Sequence, residues 1–337
     1  MTAGPMTPTT SEATPPPAVP ADRPLRWGAV LYAAMVVTFV RPTLWFIALA
    51  GFLARGGLVL LAVPILVLPT PSGLANVLGG PVSSLVFGQP APELVALLVG
   101  ATLLAVLALL AGTYIGAWSE RLVVGGSLDV AADEGLVPLA AENAPLRRGA
   151  GAVAVIRLLG LVPLAIALVA AAQPLYLAIY QELILPEELR TPLLLRVLSD
   201  IPGALLWLGV AWLLGDAAAS LSVRRLLLEG RSIGAAWALG WLGLVRRPWR
   251  VLGTALATTG VLVLLLLPGI LGAATGWARL RALLIEGNDP VAIVLGVVLF
   301  VAVWVAGLVL VGAAAAFRGA AWTFELVRRP GPSSPHR

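Results

Sequence analysis

Two ionisable residues stand inside long apolar runs and are the first candidates for chemistry. Arg55 lies in Leu-Ala-Arg-Gly-Gly, and Asp216 lies in Leu-Gly-Asp-Ala-Ala. A charge near the centre of a membrane helix costs at least about 2.5–3.5 kcal/mol on insertion scales unless it is paired or hydrated. Three readings follow: a structural ion pair, a hydrated substrate path, or two unrelated side chains that snorkel to a surface. Their depths differ by about four residues, or ~6 Å along a helix axis, which an Arg side chain can cover. The sequence therefore predicts that the spans carrying them are neighbours, with Arg55 and Asp216 facing each other.

Other chemistries find no residues. All 22 basic residues are Arg, there is no Cys, and the one His is His336, the penultimate residue. Thiol nucleophiles, disulfides, Lys Schiff bases, His-based triads and Cys/His zinc sites are excluded. Asp216 follows Gly215, but Leu213 stands where a Gly-x-Gly-Asp intramembrane protease would have Gly, and no second Asp lies in another span. Gly-rich phosphate loops and paired catalytic carboxylates are also missing. The expectation is a non-enzymatic protein with no catalytic residue, no metal and no cofactor.

The elements that must position these charges are membrane helices. Of 337 residues, 59% are hydrophobic and only 12% charged, with a mean hydropathy of +0.97. A soluble domain carries roughly 25% charged residues. Six apolar runs, about 44–68, 94–118, 163–184, 203–223, 249–271 and 291–316, reach the ~20 helical residues that cross a bilayer. None alternates with period two, and all are too long for barrel strands. Two shorter stretches, Trp27–Val40 and Ser232–Val245, lie between Arg residues. As helices they reach ~21 Å, short of the ~30 Å hydrocarbon core. They suit helices at the interface or wedged between spans; a tilted span is the alternative. Residues 1–26 are rich in Pro and Thr and read as a disordered tail, as do 330–337.

Spacing suggests duplication. Gly28-Ala29 precedes Pro42 as Gly234-Ala235 precedes Pro248, with Arg41 and Arg247 before each Pro. Arg121-Leu-Val-Val-Gly-Gly126 parallels Arg225-Leu-Leu-Leu-Glu-Gly230. The predicted fold is an all-α integral membrane protein of six transmembrane helices, built as three helical-hairpin repeats with a short interfacial helix leading into each. The repeats are about 27–126, 148–230 and 231–329, within one membrane domain at 27–329.

On a six-span topology, seventeen Arg fall on the side of the chain ends and four (Arg190, Arg196, Arg279, Arg281) on the other. The positive-inside rule then places both termini in the cytoplasm, and the expected location is the plasma membrane. Anionic inner-leaflet lipid is the expected partner of this basic face, a protein partner in the membrane is a second possibility, and nucleic acid is not expected. The outer segments are acidic, and Pro186–Leu198 reads as an amphipathic surface helix. Small residues recur every four positions in spans two (Ala108, Gly112, Gly116), four (Ala211, Gly215, Ala219) and six (Gly312, Ala316, Ala320). Such stripes allow close approach in lipid. One reading packs these three spans together at the centre; the other ascribes the stripes to abundant Gly and Ala. Trp45, Trp118, Trp249, Tyr176 and Tyr180 sit near span ends, as in an aromatic belt.

The stretch Glu229-Gly-Arg-Ser-Ile-Gly-Ala-Ala-Trp237, with Arg246-Arg-Pro-Trp-Arg250 leading into a span, resembles uncharacterised bacterial multi-span membrane proteins. It is similar to the membrane domain associated with glycerophosphodiester phosphodiesterases. The resemblance covers residues 229–270 and brings no catalytic residue, since the phosphodiesterase domain has no counterpart in this sequence. It implies a non-enzymatic bacterial inner-membrane protein. The expected function is a membrane scaffold or assembly partner; a transporter or lipid-handling permease with a midplane site at Arg55/Asp216 is the alternative. A continuous polar cavity between the repeats would favour the permease.

Overall fold

The computed structural model describes residues 23–62, 92–136, 146, 148–184, 193–286 and 289–329. It is all-helical, and six helical stretches are long and apolar enough to cross a membrane: Thr43–Ala62, Pro92–Asp133, Ala150–Ala178, Pro202–Leu228, Pro248–Ile285 and Pro290–Leu326. Residues 1–22 of the tail predicted at 1–26, all of 330–337, most of Pro186–Leu198 and the end of the first run lie outside the described residues; Arg23–Pro24, the last part of that tail, is paired and Leu25 is buried.

Helix α1 (Trp27–Val40) stops before Arg41-Pro42, and α2 (Thr43–Phe52) starts directly after. Proline lacks the N–H that would continue the ladder and disfavours helix at the residue before it. Helix α2 runs into a kinked turn, Leu53–Gly57, and then α3 (Leu58–Ala62). The long α4 (Pro92–Asp133) follows, then α5 (Ala150–Gly160) and α6 (Val162–Ile184). A short α7 (Leu193–Asp200) leads to α8 (Pro202–Leu228). Helix α9 (Ile233–Arg246) is capped by Ser232, whose side chain accepts from Ala235 N–H. Helix α10 (Pro248–Glu286) begins at the second junction proline. Helix α11 (Pro290–Leu326) is capped by Asp289, which accepts from Val291 N–H at 2.9 Å. Thus a short helix leads into the first and fifth spans, whereas α5 is the first part of the third.

Residues Arg23–Pro24 pair antiparallel with Arg328–Arg329, so the two ends of the described chain meet. We call this end of the bundle the terminal half and the other the distal half. Three apolar clusters fill the terminal half. One joins α1, α2, α4 and α11 through Val30, Val37, Leu44, Val123 and Phe324. The second joins α4, α5, α8 and α9 through Val124, Ile156, Val223 and Ala236. The third joins α8 to α11 through Ala217, Leu244, Val251 and Trp322. Helix α11 touches α10, α2, α1, α4 and α8, and is the hub.

The stripes work differently from the central arrangement expected of the even spans. A Cβ on Gly112 would strike the Ala54 carbonyl oxygen, one on Gly215 that of Gly160, and one on Gly312 would lie 2.8 Å from that of Trp45. Each stripe therefore admits the backbone of a helix from an odd span or its lead-in, not that of another even span.

Candidate functional site

The terminal half holds a cluster of six ionisable side chains from five elements. Arg55 comes from the kinked turn Leu53–Gly57 and Glu120 from α4. Arg157 comes from α5, Asp216 and Arg224 from α8, and Arg318 from α11. All lie within helices of the candidate spans.

Local sequence puts them there. Helix α2 breaks at Arg55 (φ −87°, ψ 21°) and Gly56 (φ +102°). A φ of that sign is open to Gly and strained for other residues. The break swings Arg55 off the helical path, and its Nε donates back to the Gly51 carbonyl at 3.1 Å. Gly116 on α4 makes room: a Cβ there would lie 2.8 Å from Arg55 Cγ, Cδ and Nε. Ser119 donates to the Ile47 carbonyl at 2.5 Å, tying α4 to α2 one residue before Glu120.

Glu120 is the anionic centre. It accepts from Arg157 Nε at 2.7 Å and from Nη2 of the same residue, from Arg224 Nη1, and pairs with Arg55 Nη1 at 3.6 Å. Asp216 accepts from Arg157 Nη1 at 3.1 Å and from Arg318 Nη2. Arg157 thus bridges both carboxylates. Arg224 also donates to the Gly319 carbonyl at 3.1 Å, linking α8 to α11. The Arg318 guanidinium lies 5.7 Å from the ring centroid of Trp212, a cation–π distance. Two carboxylates face four guanidinium groups, leaving a formal excess of two positive charges.

These six residues line one cavity of about 420 Å³. A second cavity of about 470 Å³ shares Arg55, Gly56, Arg157, Trp212 and Asp216 with it. Its remaining wall is mostly apolar, with Leu53, Leu58, Val59, Leu109 and Leu161. A charged chamber and an apolar one therefore meet at Arg55 and Trp212. Among the described residues, no group of three His, Asp or Glu is placed to hold a metal ion.

The structure brings Arg55 and Asp216 to the same cavities, yet the ion pairs they make are with other residues. Arg55 pairs with Glu120, and Asp216 pairs with Arg157 and Arg318. The helices also differ from the expected neighbours: α2 packs chiefly on α4 and α11, and α8 on α5, α6 and α9. This corrects the direct Arg55–Asp216 contact predicted from depth alone. Depth fixes height along the bundle but not position around it.

The cluster also corrects the count of two charges within spans. Hydropathy alone leaves Glu120 outside the spans and puts Arg157, Arg224 and Arg318 among the seventeen terminal-side Arg. The apolar runs end at 118, 223 and 316, but the helices continue to Asp133, Leu228 and Leu326. A signal was present. Small residues continue past two of the run ends, at Ser119 and Gly319–Ala320, and stand at Ser220 and Ser222 just before the third, marking faces still closely packed. Comparison of the chain with known protein families, curated proteins and solved structures finds no match.

Proposed function

We propose that this chain is a lipid-handling permease whose substrate site is the charged cavity. The observation that carries this reading is the cavity of about 420 Å³, lined by six ionisable residues beside the break at Arg55–Gly56. A purely structural ion cluster would close on itself. This one borders open space, has unbalanced charge and adjoins a discontinuous helix, the feature that forms substrate sites in many membrane carriers. The two lead-in helices, with α5 as the first part of the third span, support reading the chain as three units, 27–126, 148–230 and 231–329. The Arg excess on the terminal side supports a plasma-membrane location with that half in the cytoplasm. Setting aside the buried Arg157, Arg224 and Arg318 still leaves fourteen Arg against four. Nothing in the donor set supports a catalytic role, and the reading is non-enzymatic.

The test is reconstitution of the full chain into vesicles containing tail-labelled phospholipid, with dithionite bleaching of the outer leaflet. Lipid movement makes nearly all the label bleachable. Bleaching that stops at the outer leaflet, as in protein-free vesicles, overturns the reading. Reporter fusions test the orientation: those after residues 80, 190 and 282 should report outside, and those after 135 and 235 inside.

The scaffold reading is favoured by a separate observation. On α4 every residue from Val95 to Ala111 is exposed, a long apolar surface open to lipid or to a partner helix. A partner subunit retained in native mass spectrometry would favour it.

A further inference from the structure

Resting on the permease reading, we propose that the paired cavities bind an acidic phospholipid. Its phosphodiester lies among the guanidinium groups, an acyl chain lies in the apolar chamber, and Arg55 is the cation that meets the headgroup.

Charge sets the sign of the ligand. Four guanidinium groups and two carboxylates line the polar chamber, so an anion relieves repulsion that the protein's own acids leave uncompensated. Hydrogen bonding points the same way. Guanidinium and indole groups donate and do not accept. Arg224 Nε and Trp322 Nε1, both on residues of the chamber wall, are buried and have no hydrogen-bond partner among the described residues. Arg224 and Trp322 are each 1% exposed. A buried donor left unmet is costly, and an acceptor-rich phosphate would meet several from different helices at once.

Arg55 differs from its neighbours in how it is held. Arg224, Arg157 and Arg318 side chains are 1%, 11% and 15% exposed and make close contacts to carboxylates, whereas Arg55 is 37% exposed and 3.6 Å from Glu120. It stands in the wall common to both chambers, on the one turn where the helix is broken. A headgroup arriving there competes for a long contact, not a short one.

The apolar chamber sets the ligand's body. Free phosphate has no use for a space of about 470 Å³ lined by Leu53, Leu58, Val59, Leu109 and Leu161. A phosphatidylcholine headgroup brings its own cation, which four guanidinium groups repel. An acidic phospholipid satisfies both chambers.

The test titrates the purified full chain in detergent with short-chain phosphatidylglycerol, short-chain phosphatidylcholine and inorganic phosphate, following tryptophan fluorescence, to which Trp212 and Trp322 in the wall contribute. Phosphatidylglycerol should bind about tenfold more tightly than phosphatidylcholine. Arg55→Gln should remove that preference, and Arg55→Lys should keep part of it because the charge remains. Size-exclusion profiles check that both variants are folded; should Arg55→Gln fail to fold, Arg55→Lys and the three-ligand comparison decide. Equal binding of both lipids, or an unchanged preference in Arg55→Gln, overturns the proposal. Inorganic phosphate binding as tightly as phosphatidylglycerol shows a free-anion site and overturns the lipid assignment. Labelled lipid in vesicles keeps the two readings apart. Movement without headgroup preference defeats this inference alone, whereas selective binding without movement defeats the permease reading alone.

Discussion

Helix α4 presents two different surfaces along one length. From Val95 to Ala111 it is Leu, Val and Ala apart from Gly100 and Thr102, every residue exposed; from Gly112 onward it carries Gly116, Ala117, Ser119, Glu120 and Val123, all buried. Helix α11 repeats the contrast: no residue from Pro290 to Ala306 is buried, whereas Val311, Gly312, Ala314, Ala316 and Ala320–Glu325 are. The distal half holds together mainly as local groupings, α10 with α11 near Gly269 and Gly307, and α6 with α7 and α8 near Ala178 and Val197. The more apolar half is thus the less tightly assembled one. Lipid tails solvate Leu and Val as well as another helix does, so apolarity gives no drive to associate within the bilayer. Close backbone approach and polar bonds do, and the terminal half has both.

The comparison breaks most visibly at Glu120. Glu120→Ala leaves Arg55, Arg157 and Arg224 without their shared carboxylate. Removing one partner of a buried pair costs about 3–5 kcal/mol. Thermal unfolding in mild detergent should show the largest loss of any single substitution in the protein. A melting temperature within a degree or two of the parent would mean the cluster does not hold the terminal half together.

Next in size is the close approach of backbones. Gly112→Ala sets a methyl against the Ala54 carbonyl, on the turn that carries Arg55. Backbone cannot swing aside as a flexible side chain does, so overpacking should cost about 1–3 kcal/mol. The same change at Gly100, where nothing lies within 4 Å, should be silent. Equal effects at the two glycines, read by the same melts, would remove the distinction between the halves.

A double-mutant cycle sharpens the account within the cluster. Asp216→Asn with Arg318→Gln should show a coupling of about 0.5–3 kcal/mol, since the two side chains are in contact. Asp216→Asn with Arg55→Leu should couple less, because the acid bonded to Arg55 is Glu120. If Arg55→Leu rescues Asp216→Asn better than Arg318→Gln does, the pairing is misassigned.

What could be read from the sequence follows the same division. The helices announce themselves through run length, and the junctions through Pro42 and Pro248, whose chemistry is local. Arg55 and Asp216 stand out because apolar residues surround them on both sides. Glu120 and Arg224 do not, because each lies at the edge of an apolar run, where hydropathy cannot separate a residue facing water from one facing another helix; Arg157 and Arg318 have apolar residues on both sides but fall just outside the runs 163–184 and 291–316. Glu120 stands beside Arg121, Arg224 beside Arg225, and both pairs look like helix ends meeting an interface. Which charge bonds to which depends on angular position about the bundle, set by contacts such as Gly116 under Arg55 and Gly160 against Gly215. Composition and period carry no such information.

The smallest expected effect belongs to the distal half, where it is the most informative about function. Leu104 is 70% exposed and Leu107 63% exposed, on a stretch of α4 with no buried residue from Val95 to Ala111. Truncating either to Ala removes contacts with lipid, not with protein, and should change stability by no more than about 0.5 kcal/mol, as for other exposed positions. The measurement is unfolding of the protein in lipid bicelles, repeated at several protein-to-lipid ratios. A loss near 2 kcal/mol that grows with protein concentration would place a second chain on α4. That surface would then be an interface, and the scaffold reading would gain the contact it lacks. A null effect at every ratio leaves α4 a lipid-facing wall, so that the interior cavity, not the outer surface, carries the recognition.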